Sequence, residues 1–384
     1  MDVERRLDLI GRPPTEEILT VGELRELMET EVPLRHYIGF EISGMIHLGT
    51  GLMCMLKVKD FLDAGVDCTV FLADWHTWIN RKLGGDLELI KRVAGGYFKE
   101  GMKATLKAVG GDPEKVKFVL GSDLYHHNDE YWQTLIEVSQ NLSLSRVRRS
   151  ITIMGRKLGE KVNFAQLIYP SMQISDIFIL GVNLAHAGVD QRRAHVGARS
   201  VALKLKIKPL SLERLGFSEG EGRKIKPIAV HHHLILGLQR PPIWPITPDV
   251  NVQELWSDCK MSKSKEATCV FIHDSPEEIR AKIHGGFCPE REVVFNPMLD
   301  WVRHIVLRGE GDRFSIHRAD KYGGDVEFQS YGELEEAFRE GRIHPLDLKN
   351  ALADHLIDLL EPVRKHFEKH RDLIEIFSRI KITR

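Results

Sequence analysis

Three apolar, β-prone runs, Leu34–Phe40, Cys68–Ala73 and Val116–Leu120, alternate with two helical patterns near the start of the chain. The first pattern sets Leu52, Met55, Leu56 and Leu62 on one face and ends at Gly65; the second covers Asp86–Val109 and breaks at Gly110-Gly111. No other feature restricts the fold so tightly. Parallel strands need crossover connections, and those crossovers are right-handed in nearly every case. A βαβαβ order therefore predicts an α/β protein with an open, Rossmann-like parallel sheet, its ligand in the crevice beyond the carboxyl ends of the strands.

Between the first strand and its helix lies Glu41-Ile-Ser-Gly-Met-Ile-His-Leu-Gly-Thr50. Gly44 and Gly49 let the backbone approach a ligand closely, and the free N–H groups and dipole of the helix that follows favour negative charge. The stretch reads as a phosphate seat, with His47 inside it as a neutral or cationic donor.

Beyond the third strand, the pattern is helical from about Tyr125 to Ser175, with Arg146, Arg148, Arg149, Arg156 and Lys157 clustered. Gly181–Gly188 predicts a short buried strand, and Gln191–Leu205 a helix with Asp190 as its N-cap. Residues 206–258 read as irregular, proline-rich and basic at Lys204–Lys208. Within them His231-His232-His233 cannot all face one metal from a strand, because successive side chains point to opposite faces. Ser275-Pro-Glu-Glu opens a further helix, and Leu348, Leu352, Leu356, Leu359, Val363 and Phe367 share one face of a long one. Three parts are expected: an N-terminal helical extension over 1–30, a catalytic domain over 31–270 with a helical insertion at about 125–180, and a mostly α-helical domain over 271–384.

Composition narrows the class. The chain has 384 residues, 42% of them apolar and 28% charged, with a net charge of −1, so nucleic acid would have to be bound by local basic patches. No apolar run approaches the roughly 20 residues that span a bilayer, and the charged N-terminus lacks a signal-peptide core. The five cysteines, Cys54, Cys68, Cys259, Cys269 and Cys288, show no C-x-x-C spacing and read as reduced. A cytoplasmic protein without a membrane anchor or a protein-held metal is expected.

His47-Leu-Gly-Thr50 on the first turn and Lys260-Met-Ser-Lys-Ser264 far downstream together resemble the paired signatures of class I aminoacyl-tRNA synthetases. Arg35-His-Tyr-Ile-Gly-Phe-Glu41 and Tyr169-Pro-Ser-Met-Gln-Ile-Ser-Asp176 are similar to the tyrosyl members from archaea and eukaryotes. So are Gly188-Val-Asp-Gln-Arg-Arg193, Lys321-Tyr-Gly-Gly-Asp325 and His344-Pro-Leu-Asp-Leu-Lys349. The likeness runs from about residue 30 to 365 and is poorest over 206–258, which is longer than the usual connection.

The resemblance implies ATP, with Mg2+, L-tyrosine and tRNA(Tyr) as substrates, a homodimer built on the helical insertion, and an anticodon-binding C-terminal domain. It implies a catalytic set of His47, Thr50, Lys260 and Lys263, and an ATP site of Gly44, His47, Gly49, Lys260, Met261, Ser262, Lys263 and Ser264. Tyrosine would be held by Tyr37, Tyr169, Gln173, Asp176 and Gln191, with Ala73, Asp74 and His76 bordering the crevice, Asp74 being equally suited to cap the next segment. For tRNA the implied residues are Arg149 and Arg192 at the acceptor end, and Cys288, Tyr322, His344 and Asp347 at the anticodon. Thr50 departs from the family pattern, standing where a second histidine is usual. Three rival readings remain: a tryptophanyl enzyme, a small-molecule nucleotidyltransferase and a non-catalytic paralogue.

Overall fold

The computed structural model describes residues 1–155, 161–217, 222–247 and 250–379; Arg156 and Lys157 of the basic cluster lie outside them. The chain opens with Val3–Gly11 (α1), Thr15–Leu19 (β1) and Val21–Glu29 (α2). Residues 1–30 are thus not purely helical. β1 joins the main sheet antiparallel to its last strand, with Glu17 opposite His231. Its Thr-Glu-Glu-Ile-Leu sequence lacks a strand pattern, because two of its positions pair with histidines rather than with apolar groups.

The βαβαβ core follows as Arg35–Phe40 (β2), Leu52–Asp63 (α3), Asp67–Leu72 (β3), Asp74–Ile79 (α4), Leu87–Val93 (α5), Lys99–Ala108 (α6) and Val116–Leu120 (β4). The Asp86–Val109 pattern holds as α5 and α6 joined by a π-helical turn, Ala94–Phe98, with the Asp86 side chain capping the start. Then come Gly121–Tyr125 (α7), Asp129–Gln140 (α8), Leu144–Ser150 (α9), Phe164–Leu180 (α10), Leu184–Gly188 (β5), Arg192–Val201 (α11) and Ile228–His232 (β6). An Asn163/Gln166 capping box starts α10, and Gly181 at φ +63° stops it.

The six-stranded sheet runs β1-β6-β5-β2-β3-β4, and β2 to β6 pair in parallel. The strand order reverses beside β2, between β3 and β5, which opens the ligand crevice at their carboxyl ends. β6 lies inside the stretch read as irregular; all five of its residues are buried, and its two histidines disguise it. Asp190 does not cap a helix. The segment begins with a 3-10 turn, Val189–Gln191, and α11 starts at Arg192 without a side-chain cap.

The remainder comprises Val252–Cys259 (α12), Pro276–Gly285 (α13), Pro297–Trp301 (α14), a hairpin of Phe314–Ile316 (β7) and Val326–Phe328 (β8), Tyr331–Arg339 (α15) and Pro345–Glu368 (α16). A Ser275/Glu278 capping box with Pro276 opens α13. The buried stripe of α16 runs through Leu360 instead of Leu359, one residue on from the expected position. This stripe packs against α6, and in the π-helical turn before α6 the Tyr97 ring is flanked by Phe367 and by Phe377 from beyond α16, at centroid distances of 5.4 and 4.7 Å. The Tyr97 hydroxyl accepts the Ile46 N–H at 2.9 Å and meets His273 Nε2 at 3.0 Å. One hydrophobic core runs from Leu9 to Phe377, so the C-terminal helices share it with the sheet domain.

His233, just past β6, ties three distant segments. Its Nδ1 meets the Glu16 carboxylate, its Nε2 meets Asp300 Oδ1 at 2.8 Å, and its ring stacks on His304 at 3.9 Å and 11°. Parallel rings cannot aim both in-plane lone pairs at one ion, so this trio suits an imidazolium between two carboxylates better than a metal. Burial lowers the His233 pKa, but Asp300 and Glu16 outweigh it and hold it up at about 9. A raised folded value means stability fully present below the unfolded pKa near 6.5 and lost as pH climbs through about 9. Melting scans should show Tm falling over that alkaline window, with a flatter profile in His233→Gln; identical profiles would refute the linkage.

Candidate active site

A crevice of about 400 Å³ lies at the carboxyl ends of the central strands, bounded by the His47 turn, α10 and the Lys260–Ser264 loop. At one end sits Asp176 on α10, 1% exposed. Its Oδ1 accepts the hydroxyls of Tyr125 and Tyr131, each at 3.2 Å, while Oδ2 lies 3.7 Å from His76 Nε2. Burial raises the Asp176 pKa well above the carboxylate range, against the lowering effect of the two hydroxyls. Tyr37, on β2, is buried in the same wall, and burial together with Asp176 raises its phenol pKa.

One turn before Asp176, Gln173 donates to Gln191 Oε1 at 3.2 Å, and Gln191 donates to the Ile153 carbonyl at 2.9 Å. Gln173 Oε1 is buried without a hydrogen-bond partner. Tyr169 completes this side, with its ring edge-on to His76 at 4.5 Å. Ala73 and His76 line the crevice but Asp74 does not. Its Oδ1 accepts the Trp75 and Ser122 N–H groups at 2.8 and 2.9 Å, a structural cap joining α4 to α7.

At the other end, the His47 turn is held by short antiparallel bridging to the segment after the lysine loop. Leu48 N–H donates to the Val270 carbonyl at 3.0 Å, and Ile272 N–H to that of Ile46 at 3.1 Å. His47 Nδ1 accepts the Thr50 N–H at 3.3 Å, and its Nε2 faces Thr50 Oγ1 at 3.1 Å. Burial, then Lys263 and Lys260, push its pKa down to about 3, so His47 is neutral. Of the two states the sequence leaves open, these surroundings favour the neutral imidazole.

The lysine loop closes over this turn. Lys263 Nζ contacts Ser43 Oγ, and its Cδ lies 3.1 Å from where a Gly44 Cβ would sit. With φ at +139°, Gly44 combines a conformation that only glycine adopts readily with that close approach. Burial pushes the Lys263 pKa down to about 8, opposed by Glu41 and aided by Lys82. Lys260 pairs with Asp190 Oδ2 at 2.8 Å, the partnership that displaces Asp190 from helix capping. Met261 N–H donates to the Ile235 carbonyl at 2.8 Å. Thr50, Gly49, Met261 and Ser262 line the crevice, whereas Gly44 supports Lys263 from outside it. Ser264 is exposed and bonds only to Ser262, at 3.0 Å, so it reaches the site through that neighbour.

Tyr125, Tyr131 and Lys82 are site residues that the sequence reading missed. A buried aspartate on a helix requires donors, and that need was the signal for the two tyrosines. Lys82 lines the crevice from a tight turn in which Arg81 and Leu83 carry φ of 54° and 49°. Non-glycine residues hold such backbone where the surroundings impose it.

The implied tRNA residues fall in two surface regions. Arg149 is exposed at the end of α9, and its carbonyl accepts Arg193, beside Arg192 at the start of α11. Arg192 is already engaged by Glu17 of β1 at 2.8 Å. Tyr322 is 63% exposed, with Lys321 Nζ 4.8 Å from its ring centroid. His344 caps α16 by accepting the Leu346 N–H at 3.1 Å, and Asp347 lies in the first turn. Arg318 ties these two loops together through the Gly324 and Arg342 carbonyls, both at 2.7 Å. Cys288 is half-buried and receives Asn296 Nδ2 at 3.5 Å.

The His47 turn, the Lys260–Ser264 loop and the pocket around Asp176 thus share one crevice. Residues 28–361 match the family described as tRNA synthetases class I (W and Y), and the chain belongs to that family. Within it the chain stands with the tyrosine–tRNA ligases. It is 57% identical to the tyrosine–tRNA ligase of Thermococcus sibiricus over 384 residues, all of both chains. The crystal structure of the tyrosyl-tRNA synthetase of Pyrococcus horikoshii complexed with L-tyrosine aligns with a TM-score of 0.94 at 57% identity, covering 98% of this chain and 100% of that one. The Aeropyrum pernix enzyme aligns at 0.79 with 38% identity, covering 99% of each.

Proposed function

We propose that this crevice joins tyrosine to ATP, releasing pyrophosphate, and then loads the tyrosyl group onto the 3'-terminal adenosine of tRNA(Tyr). The carrying observation is the buried Asp176 carboxylate, two hydroxyls on one oxygen, in the same crevice as the His47 turn and the lysine loop. The tyrosine carboxylate attacks the α-phosphate, displacing pyrophosphate; later the terminal ribose hydroxyl attacks the adenylate carbonyl, breaking the acyl–phosphate bond and releasing AMP. Neither step needs a protein nucleophile, so catalysis is positioning plus stabilisation of charge on the phosphates. Lys260, Lys263 and Lys82 supply that charge, and neutral His47 and Thr50 supply hydrogen bonds. Mg2+ keeps mostly water and phosphate ligands in such sites. That fits a crevice where Asp190 is taken by Lys260 and Glu41 by Asn80, so the triphosphate would bring the ion.

Tyr37 and Asp176 bind the phenol hydroxyl; Gln173, Tyr169 and Gln191 bind the ammonium, which the unpartnered Gln173 Oε1 is placed to accept. An indole offers a donor and no acceptor, so a tyrosine hydroxyl satisfies both partners where tryptophan satisfies one. Pyrophosphate exchange with tyrosine, tryptophan and phenylalanine tests the reading. Exchange only with tyrosine is expected, and none with any of them from folded protein would sink it.

Residues 271–384 are read as the anticodon-binding region, with Tyr322 and His344 stacking on bases, Asp347 accepting and Cys288 beside the neighbouring base. Arg149 and Arg192 serve the acceptor end, Arg192 by exchanging Glu17 for phosphate. Base–aromatic stacking contributes about 1–3 kcal/mol per base. Tyr322→Ala should therefore raise KM for tRNA(Tyr) by about 5–150-fold at unchanged exchange rate; a matching loss of exchange would contradict the assignment. A homodimer is supported by exposed Trp78 of α4 and Trp132 of α8, both against Trp75, and by exposed Ile136 one turn after Trp132. A cytoplasmic setting accords with free cysteines and with the absence, among the described residues, of any helix long and apolar enough to cross a membrane.

A further inference from the structure

Three histidines cross the sheet in a line that the proposed chemistry does not use. His36 Nε2 meets His186 Nδ1 at 3.1 Å, His186 Nε2 meets His232 Nδ1 at 2.8 Å, and His232 Nε2 meets Cys54 Sγ at 3.7 Å. Cys54 Sγ in turn lies 3.3 Å from the Gly49 carbonyl. All four side chains are buried, and His186, His232 and Cys54 line the floor of the crevice.

One proton arrangement satisfies every contact. A carbonyl only accepts, so Cys54 donates its S–H to Gly49. Its sulfur then accepts from His232 Nε2–H, leaving Nδ1 bare for the Nε2–H of His186. His186 Nδ1 is likewise bare for the Nε2–H of His36. The line starts at His36 Nδ1, a buried nitrogen without a hydrogen-bond partner. As a bare acceptor that atom is tolerated; the reverse arrangement would leave a buried N–H donor unpaired there and deprive Gly49 of its donor.

The contact continues beyond Gly49 through the position of its peptide. Its carbonyl and the Thr50 N–H belong to one planar trans peptide and point opposite ways. That N–H donates to His47 Nδ1, which leaves the His47 proton on Nε2, facing Thr50 Oγ1. We infer that His36, His186 and His232 form a neutral one-way hydrogen-bond relay which, ending on Cys54, anchors the Gly49 carbonyl and so holds the Gly49–Thr50 peptide in the position from which its N–H sets the tautomer and orientation of His47. Burial keeps the relay uncharged: His36 is pushed down to about 3 and His232 to about 4, with His186 well below the usual range. Such chains polarise their members cooperatively, and the end of this one delivers a Thr50 hydroxyl whose own proton is free to point into the crevice. The relay residues are positioning residues, and their kinetic role rests on the adenylation reading.

The test uses the full chain labelled with 15N-histidine, His47 being assigned by difference against His47→Asn. Unmutated protein should show His47 as the neutral Nε2–H tautomer. Cys54→Ala, a small change that should fold, should give a mixture of tautomers, and Cys54→Ser should restore the single form. In tyrosine-dependent pyrophosphate exchange Cys54→Ala should lower kcat about threefold to tenfold with KM for tyrosine unchanged, and Cys54→Ser should recover most of it. A His47 tautomer that is Nδ1–H, or that is the same in Cys54→Ala, overturns the relay even if the rate falls. Absence of exchange in the unmutated protein would sink the adenylation reading alone, since the tautomer measurement needs no turnover.

Discussion

Asp176→Ala is expected to lower kcat/KM for tyrosine activation by about 10²–10⁴, approaching the roughly 10⁴–10⁵ by which a site built to hydrogen-bond a substrate hydroxyl rejects an analogue lacking it. The carboxylate anchors Tyr125 and Tyr131 from its Oδ1 and leaves Oδ2 for the substrate hydroxyl, with only the distant His76 near it. Phenylalanine brings no hydroxyl, so the intact site would leave buried polar atoms unpaired on binding it. Discrimination of about 10⁵ without editing is the figure already attached to this enzyme class, not one derived from the present geometry. The variant should forfeit most of it, because activation of phenylalanine has no hydroxyl contact to lose. Asp176→Asn, which keeps the shape and still accepts from the two tyrosines, separates chemistry from collapse. Pyrophosphate exchange on both amino acids provides the measurement, and unchanged selectivity in both variants would remove Asp176 from the specificity pocket.

Lys263→Met should reduce kcat of adenylation by about 10²–10³, the usual effect of losing one preorganised donor to developing charge, with KM for tyrosine little altered. Its ammonium sits on Ser43, at the seam between the lysine loop and the His47 turn, and burial already holds its pKa down to about 8. An incoming triphosphate would raise that pKa again and draw the ammonium from Ser43. Methionine preserves the stem that packs over Gly44, so the loop should still close. A kcat within threefold of the unmutated value would rule out direct contact with the phosphates.

What the sequence could show depended on whether a residue's surroundings are local. The βαβαβ core is readable because its strands are apolar runs and its breaks are glycines. β1 and β6 are not, since Glu17 meets His231 between the paired strands and Glu16 meets His233 just past β6, contacts that no local pattern announces. The same division holds in the site. His47, Lys260 and Asp176 stand in short recognisable motifs, but Tyr125 and Tyr131 acquire meaning only when α7 and α8 fold onto α10. Asp190 was misread for the converse reason: its neighbours fit a helix cap, while its true partner, Lys260, is 70 residues away along the chain.

The long helix α16 acts as a gauge. Its first turn carries His344 and Asp347, and its last buried residue, Phe367, rests on the Tyr97 ring whose hydroxyl holds Ile46, the residue before His47. Its 24 residues span about 36 Å as one helix that runs on through Pro362. Deleting a single residue from that span would turn one end about 100° relative to the other and draw it in by about 1.5 Å. Both ends cannot then be in register, so the element should accept many substitutions on its outer face and almost no change of length. In the lineage of this protein, insertions and deletions belong in the hairpin turn and the surface loops.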